Sequence, residues 1–452
     1  MTALTAMPKY ETYKDSGIEW LGEIPAHWKV KKLKFSTLIN KESLPENTQR
    51  NHILEYVDIG SVTFENGIEK AEDFSFGDAP SRARRLAKNG DTIVSTVRTY
   101  LKAIAFIDER YEKCVYSTGF AVITPKEDFS PKFLTNFIRS NAFTHQVDDV
   151  AKGMSYPAIN STDLSNLYIV DAPFSEQTTI AHFLDQKTAQ IDAAIAIKEQ
   201  QITLLKERKQ ILIQQAVTKG VGFDFAQPTD SDRSLSEVEG NNGVPMKDSG
   251  VEWIGEIPAH WEMKKVKHLF RMIMESSEKN NNHELLSVYT DIGVKPRREL
   301  EERGNKASTT DGYWFVKKGD IVVNKLLAWM GAIGLSEYDG VTSPAYDILR
   351  PKVEINGYFY HFLFRSDFCS SELKRHSRGI MDMRLRLYFD KFGLVEVPYP
   401  SATEQNKIID FLNINLIKMD EGIDLINQQI EKLREYKTTL INSAVTGKIK
   451  IA

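Results

Sequence analysis

Cysteine is scarce: 452 residues hold two, Cys114 and Cys369. Neither has the spacing of a disulfide framework or a zinc ligand set, so both are expected in cores, as suits a reducing cytoplasm. No apolar run approaches the roughly 18–20 residues of a membrane helix, and no membrane partner is expected. The first residues, "MTALTAMPKYETYKDSG", lack a basic stretch followed by an apolar one, so no secretion signal is expected. The G-x-x-x-x-G-K-[ST] loop that cradles ATP phosphates is missing. So is a glycine-rich turn between strand and helix that a methyl donor or dinucleotide would need. Nine histidines are scattered, with no H-x-x-x-H pair and no Cys/His cluster, so no metal ligands and no catalytic residues are expected.

The net charge of −4 argues against a polyanionic partner, but that average is misleading. Residues 222–246, "GFDFAQPTDSDRSLSEVEGNNGVPM", hold five acids and one arginine, and so account for all of it. Rich in Gly, Ser, Pro and Asn, they suggest a flexible linker over about 219–246. Elsewhere basic residues cluster: six against one acid in 81–102, and six against two in 374–391. Such patches suit phosphate contact, although a solvated charged face would read the same way.

What the chain does contain, it contains twice. "KDSGIEWLGEIPAHWKVKKLK" (14–34) and "KDSGVEWIGEIPAHWEMKKVK" (247–267) agree at 16 of 21 places. Further matches follow in the same order: "YVDIG" with "YTDIG", "KNGDTIVSTVRTYLKAIA" with "KKGDIVVNKLLAWMGAIG", and "FLTNFIRS" with "FYHFLFRS". Residues 175–218 align without a gap to 403–446, with 18 identities. A period this long is a duplicated domain. The edges of each copy agree while the centres diverge, and 61–87 has no counterpart. Such a chain is expected to meet one partner twice and two different targets once each.

Within each copy, short Val/Ile/Tyr/Phe-rich runs predict strands, and 130–153 predicts a helix ending near Gly153, giving an α+β body. The closing segments differ in kind. Ile191, Ile195, Lys198, Ile202, Leu205, Lys209, Leu212 and Ala216 are spaced 4-3-4-3-4-3-4, and so are Met419, Ile423, Ile426, Ile430, Leu433, Lys437, Leu440 and Ala444. A heptad stripe of this length without proline predicts a coiled coil, with each helix roughly 60 Å long. Parallel pairing in register would set Lys209 against Lys437, which mildly favours antiparallel pairing. Ser175 and Thr403 are the expected N-caps. The resulting plan is a first body over 1–174, a helix over 175–218, the linker, a second body over 247–402, a helix over 403–446 and a tail over 447–452.

Two features invite a catalytic reading. "DAPF" (171–174) nearly matches the Asp-Pro-Pro-aromatic motif of adenine methyltransferases, but it carries Ala172 and its counterpart reads "PYPS". A strand end before a helix explains it better. The pairs His27–Trp28 and His260–Trp261 have only Glu19/Glu252 and Glu23/Glu256 at matching distances in both copies. With Trp20 and Trp253 they are better read as framework or partner-docking aromatics.

Two variable α+β units, each opened by "KDSG-EW-GEIPAHW" and closed by a heptad helix beginning with "EQ", resemble the specificity (S) subunit of type I restriction–modification enzymes. The resemblance spans essentially the whole chain. It implies two target recognition domains reading one bipartite double-stranded DNA target, held apart by an antiparallel coiled coil. It further implies docking of two methyltransferase (M) subunits and, through them, restriction (R) subunits. S-adenosylmethionine, ATP and magnesium would then belong to the partners, with none in this chain. The expected DNA contacts are Thr96, Arg98, Thr99, Tyr100 and Lys102 after the first "GD" strand, with Lys325 and Trp329 in the second copy. Lys152, Ser155 and Tyr156, against Arg378, Arg384 and Arg386, are added from the segment before the last strand. Core packing is the competing reading for Tyr100 and Trp329, and a structural role for Arg139 and Arg365. Divergent centres imply two different half-targets. A DNA-independent adaptor and a self-contained modification enzyme stand as alternatives.

Overall fold

The computed structural model describes residues 7–153, 155–221, 244–299, 309–380 and 384–451, so most of the acidic 219–246 stretch lies outside the described residues. The chain forms two compact units, Met1–Glu199 with Asn427–Ala452, and Gln200–Ile426. Each unit therefore holds the body of one repeat, the first part of its own long helix and the last part of the other repeat's.

Both bodies are built on the same antiparallel sheet. In the first unit its order is Ile104–Phe106, Thr92–Ser95, Phe120–Pro125, Thr37–Ile39, and in the second Ile333–Leu335, Ile321–Asn324, Tyr346–Pro351, Phe270–Ile273. The "GD" before the second strand of each list is a turn device. Asp91 accepts from the Lys88 amide and Asp320 from the Lys317 amide, both at 2.8 Å. The stretch 61–87, unmatched in sequence, contributes Glu72–Ser75 and Ala83–Leu86 to a second four-stranded sheet, and the second unit has a shorter counterpart in Leu286–Tyr289 with Gly293–Pro296 and Trp314–Val316 with Gly340–Thr342, the two pairs joined by a parallel bridge between Leu285 and Val341. "VYSTGFAVI" is two strands rather than one: Val115–Ser117 joins that second sheet and Phe120–Pro125 the shared one.

The helix expected over 130–153 is likewise two, Pro131–Ile138 and Asn141–Val150. The break falls at Ser140, whose extended backbone stops the first helix and whose hydroxyl donates to the Phe137 carbonyl at 2.6 Å. The second unit repeats this at Ser366 and Leu363, between Gly357–Arg365 and Asp367–His376. The arginines just before these serines are structural. Arg365 donates to the carbonyls of Tyr289, Thr290, Asp291, Gly331 and Ile333, and Arg139 donates to that of Phe64 while stacking on its ring.

The long helices run Phe174–Lys219 and Ala402–Val445. They begin one residue earlier than their expected caps, so Ser175 and Thr403 lie inside the first turn. Ser401 does the capping in the second helix, accepting from the Glu404 amide at 3.3 Å. The stripe positions face inward throughout. Ile191, Leu212, Ile430 and Leu440 are buried; Ile195, Ile202, Leu205, Met419, Ile423, Ile426 and Leu433 are half-buried among exposed neighbours. Pairing is antiparallel in each unit. In the first, Lys437 grips Asp192 at 2.7 Å and Lys198 donates to Gln429; in the second, Lys209 grips Asp420. The stripe lysines thus meet acids and an amide, not each other.

Each helix pair is sealed into its unit's core. Ile180, Leu184 and Ile191 pack with Leu440, Ala444 and Val445 against Trp28, Phe133 and Phe137. In the second unit Ile408, Leu412 and Leu416 pack with Leu212, Ala216 and Val217 against Trp261, Phe359 and Phe364. Among the described residues no helix is long and apolar enough to cross a membrane.

Candidate nucleic-acid interface

In the first unit, the Thr92–Ser95 strand delivers the chain into a short loop. A bridge from Val97 to Ala158 and hydrogen bonds from the Ile159 amide to the Thr96 carbonyl (2.9 Å) and from the Thr99 amide to the Pro157 carbonyl (3.3 Å) tie it to 157–159, which pairs back on Lys152 through Ala158. The two segments named from the sequence are therefore one surface. Thr96 and Thr99 are its scaffold: Thr96 Oγ1 donates to the Gly119 carbonyl at 2.9 Å, and Thr99 is buried. Lys152 pairs through its backbone with Ala158, leaving its side chain exposed. Arg98, Tyr100, Ser155 and Tyr156 are exposed and Lys102 is half-exposed. The Arg98 guanidinium lies 5.1 Å from the Tyr156 ring centroid, a stacked cation that keeps its outward edge available.

Arg98 and Lys102 both adopt left-handed backbone, at φ 53° and 46°. Residues other than glycine hold such angles at a penalty of order 1 kcal/mol or more, and they cluster at functional sites. At the position matching Lys102 the second repeat has Gly331, at φ 90°. The turn demands left-handed backbone in both copies, and the first copy accepts strain to place a cationic side chain there.

The second unit assembles the equivalent surface from 325–330, 378–380 and 384–387, joined by the Leu387 amide donating to the Lys325 carbonyl at 2.8 Å. Arg378 and Arg386 pair through their backbones at 2.9 Å in both directions, and Arg378 also pairs with Asp390. Arg378, Arg384 and Arg386 are all exposed. Lys325 points inward instead: its ammonium sits 3.3 Å from Asp347 and donates to the Pro344 carbonyl, with the side chain 19% exposed. Burial pushes the Asp347 carboxyl above its ordinary range, and Lys325 offsets only part of that. Trp329 is half-buried beneath the Lys374 ammonium, 5.0 Å from its ring centroid. The side chains this loop does expose are apolar: Leu326, Leu327 and Met330, the last 51% exposed. Inspection of single residues misses them. Alignment of "TVRTYLK" with "KLLAWMG" carries the signal, because the two copies differ in polarity position by position.

The His-Trp pairs anchor the long helices. Glu176 accepts from Trp28 Nε1 at 3.1 Å and from the Tyr10 hydroxyl at 2.9 Å, and meets His27 Nε2 at 2.7 Å. Burial raises its carboxyl, but the hydrogen bonds from His27, Trp28 and Tyr10 outweigh it and hold the group below the ordinary glutamate value. Glu404 repeats the arrangement with His260 and with Trp261 Nε1 at 2.8 Å. The adjacent glutamines are staples. Gln177 accepts from the Ser130 amide and donates to the Ala172 carbonyl, as Gln405 does with Asn356 and Pro400. Trp28 and Trp261 are fully buried, which makes them framework; Trp253 stacks on Phe368 and Trp20 is 37% exposed.

Residues 25–207 match the family described as "Type I restriction modification DNA specificity domain". Over the full length of both chains, the protein is 21% identical to a putative type I restriction enzyme specificity subunit, MjaX, of Methanocaldococcus jannaschii. It is 21% identical to the HindI specificity subunit of Haemophilus influenzae, over 87% of this chain and 94% of that one. Two solved structures share the fold. One is described as concerning complex assembly and conformational transition of the type I R-M system: TM-score 0.67, 18% identity, 93% of this chain and 98% of the other. The second is the HsdS subunit from Thermoanaerobacter tengcongensis, with TM-score 0.53 and 19% identity over 94% of this chain and 98% of that one.

Proposed function

We propose that this chain, a relative of type I restriction–modification specificity subunits from end to end, reads a bipartite, asymmetric DNA target and brings a methyltransferase to it. The observation that carries the reading is the pairing of a shared frame with unlike loops. Both repeats keep the sheet, the Glu clamp, the Gln staple and the antiparallel helix segments, while 96–102 and 325–331 differ in charge and polarity. A frame kept twice suits one partner met twice, and loops that differ suit two half-targets. Phosphate contacts from exposed Arg and Lys hold register, and base edges in the major groove supply the sequence. Two linked modest sites bind more tightly than either alone.

The chemistry belongs to partners. Two M subunits dock on the duplicated frame and supply the S-adenosylmethionine site; R subunits, with ATP and magnesium, join through them in the cytoplasm. The test is a base-resolution methylation map of cells with and without the chain. A modified motif of two different half-words separated by a gap, lost on deletion, is expected. A perfect palindrome, or a motif surviving deletion, would refute the reading.

A further inference from the structure

The two loops that follow the "GD" strand present opposite chemistries. Aligned on that motif, Val97, Arg98, Thr99, Tyr100, Leu101 and Lys102 become Leu326, Leu327, Ala328, Trp329, Met330 and Gly331. Both cations of the first loop are gone from the second. Its one lysine, Lys325, is withdrawn into the Asp347 pair, and its one aromatic lies under Lys374. What remains in solvent is a short apolar edge, with Leu326 37%, Leu327 40% and Met330 51% exposed.

The edge is held rigidly. Asn324 Oδ1 accepts from the Leu326 amide at 3.1 Å, the Ala332 amide donates to the Leu327 carbonyl at 3.0 Å, and Ala328 is fully buried. The protein exposes these side chains in a fixed geometry, against the hydrophobic preference to bury them. Beside the edge, the segment tied to Lys325 through Leu387 carries the exposed Arg384 and Arg386. An apolar ridge flanked by arginines matches one feature of duplex DNA: the thymine C5 methyl, the only apolar group on a base edge in the major groove, bordered by phosphates.

We infer that the second unit reads its half-target through thymine methyl groups packed against Leu326, Leu327 and Met330. By contrast, the first unit's Arg98 is suited to the acceptor pair of guanine. This rests on the proposed DNA-reading role and adds the base chemistry of one half-site.

The experiment uses the full-length chain assembled with its methyltransferase subunit and a duplex carrying the methylation-mapped target. Specific binding over a scrambled duplex is measured first; without it the DNA-reading role itself fails, whatever the loop does. With it, each thymine of the second half-site is replaced by uracil, which removes only the methyl group. Affinity should fall about three- to fivefold at one or more positions. Leu327→Ala with Met330→Ala should erase that thymine–uracil difference while specific binding to the first half-site persists. Three outcomes would overturn the inference: a second half-site with no A·T pair, uracil duplexes bound as well as thymine, or a double variant that loses assembly with the methyltransferase yet still discriminates uracil. The last would assign the ridge to protein contact.

Discussion

At Glu176 one carboxylate gathers three side chains that lie 148 to 166 residues away in sequence. Its value is depressed below the ordinary 4.5, so the folded state gains stability from its ionisation. That gain is complete above about pH 4.5 and is lost as acid takes the pH down through the folded value. Glu176→Gln should therefore lower the stability of the full chain by about 1–3 kcal/mol at neutral pH. Thermal unfolding should show the gap between variant and wild type closing below about pH 4.5. Glu404→Gln should have a smaller effect, since its clamp has His260 and Trp261 but no counterpart of Tyr10 among the described residues. The sequence displays both halves of this clamp, as "AHW" and "EQ", yet gives no sign that they meet. A contact across some 150 residues leaves no local period, so His27 and His260 resemble catalytic histidines until the fold shows Glu176 and Glu404 beside them.

Helices and strands were legible in proportion to how local their causes are. The heptad stripe was readable because each turn reports its own buried face, and all sixteen of its positions escape full exposure. The helix break at Ser140 and Ser366 was not, because Arg-Ser is no breaker by propensity; the break is enforced by backbone geometry and by the arginines' need for loop carbonyls. From the sequence, antiparallel pairing rests on avoiding Lys209 against Lys437 and on the family resemblance, and the ion pairs supply the positive reason. Under the duplication Asp192 corresponds to Asp420 and Lys209 to Lys437, so the two pairs are the same contact written twice. A double-mutant cycle tests it. Lys437→Glu should destabilise the first unit, and adding Asp192→Lys should restore about 0.5–1 kcal/mol of coupling, modest because Asp192 is 54% exposed. Zero coupling in chemical denaturation would mean that register is held by Leu440 and Ile430 alone.

For the whole molecule, the division of the chain into units carries the consequence. Each unit borrows the end of the other repeat's helix, so the last turns of Ala402–Val445 and the glycine after them belong to the first body. Gly447 sits at φ 72° where an added Cβ would come within 2.4 Å of Pro25, and Gly220 takes the same role at φ 82° against Trp261. The joints are thus equivalent, each made of a helix-ending glycine on a Trp-containing wall, and they do not involve the 96–102 and 325–331 loops. Bodies should be exchangeable across them. A chain in which residues 14–173 also replace 247–401 sets His27 and Trp28 against the resident Glu404, keeps the staple and both glycine joints, and omits only Tyr10, which the second clamp does without among the described residues. On the proposed function, it should assemble with a methyltransferase and modify a target containing the first half-word twice. Methylation mapping reads the outcome directly: persistence of the parental second half-word would place its recognition outside 247–401. Loss of all modification with assembly intact would mean that the loops depend on which helix end they are paired with.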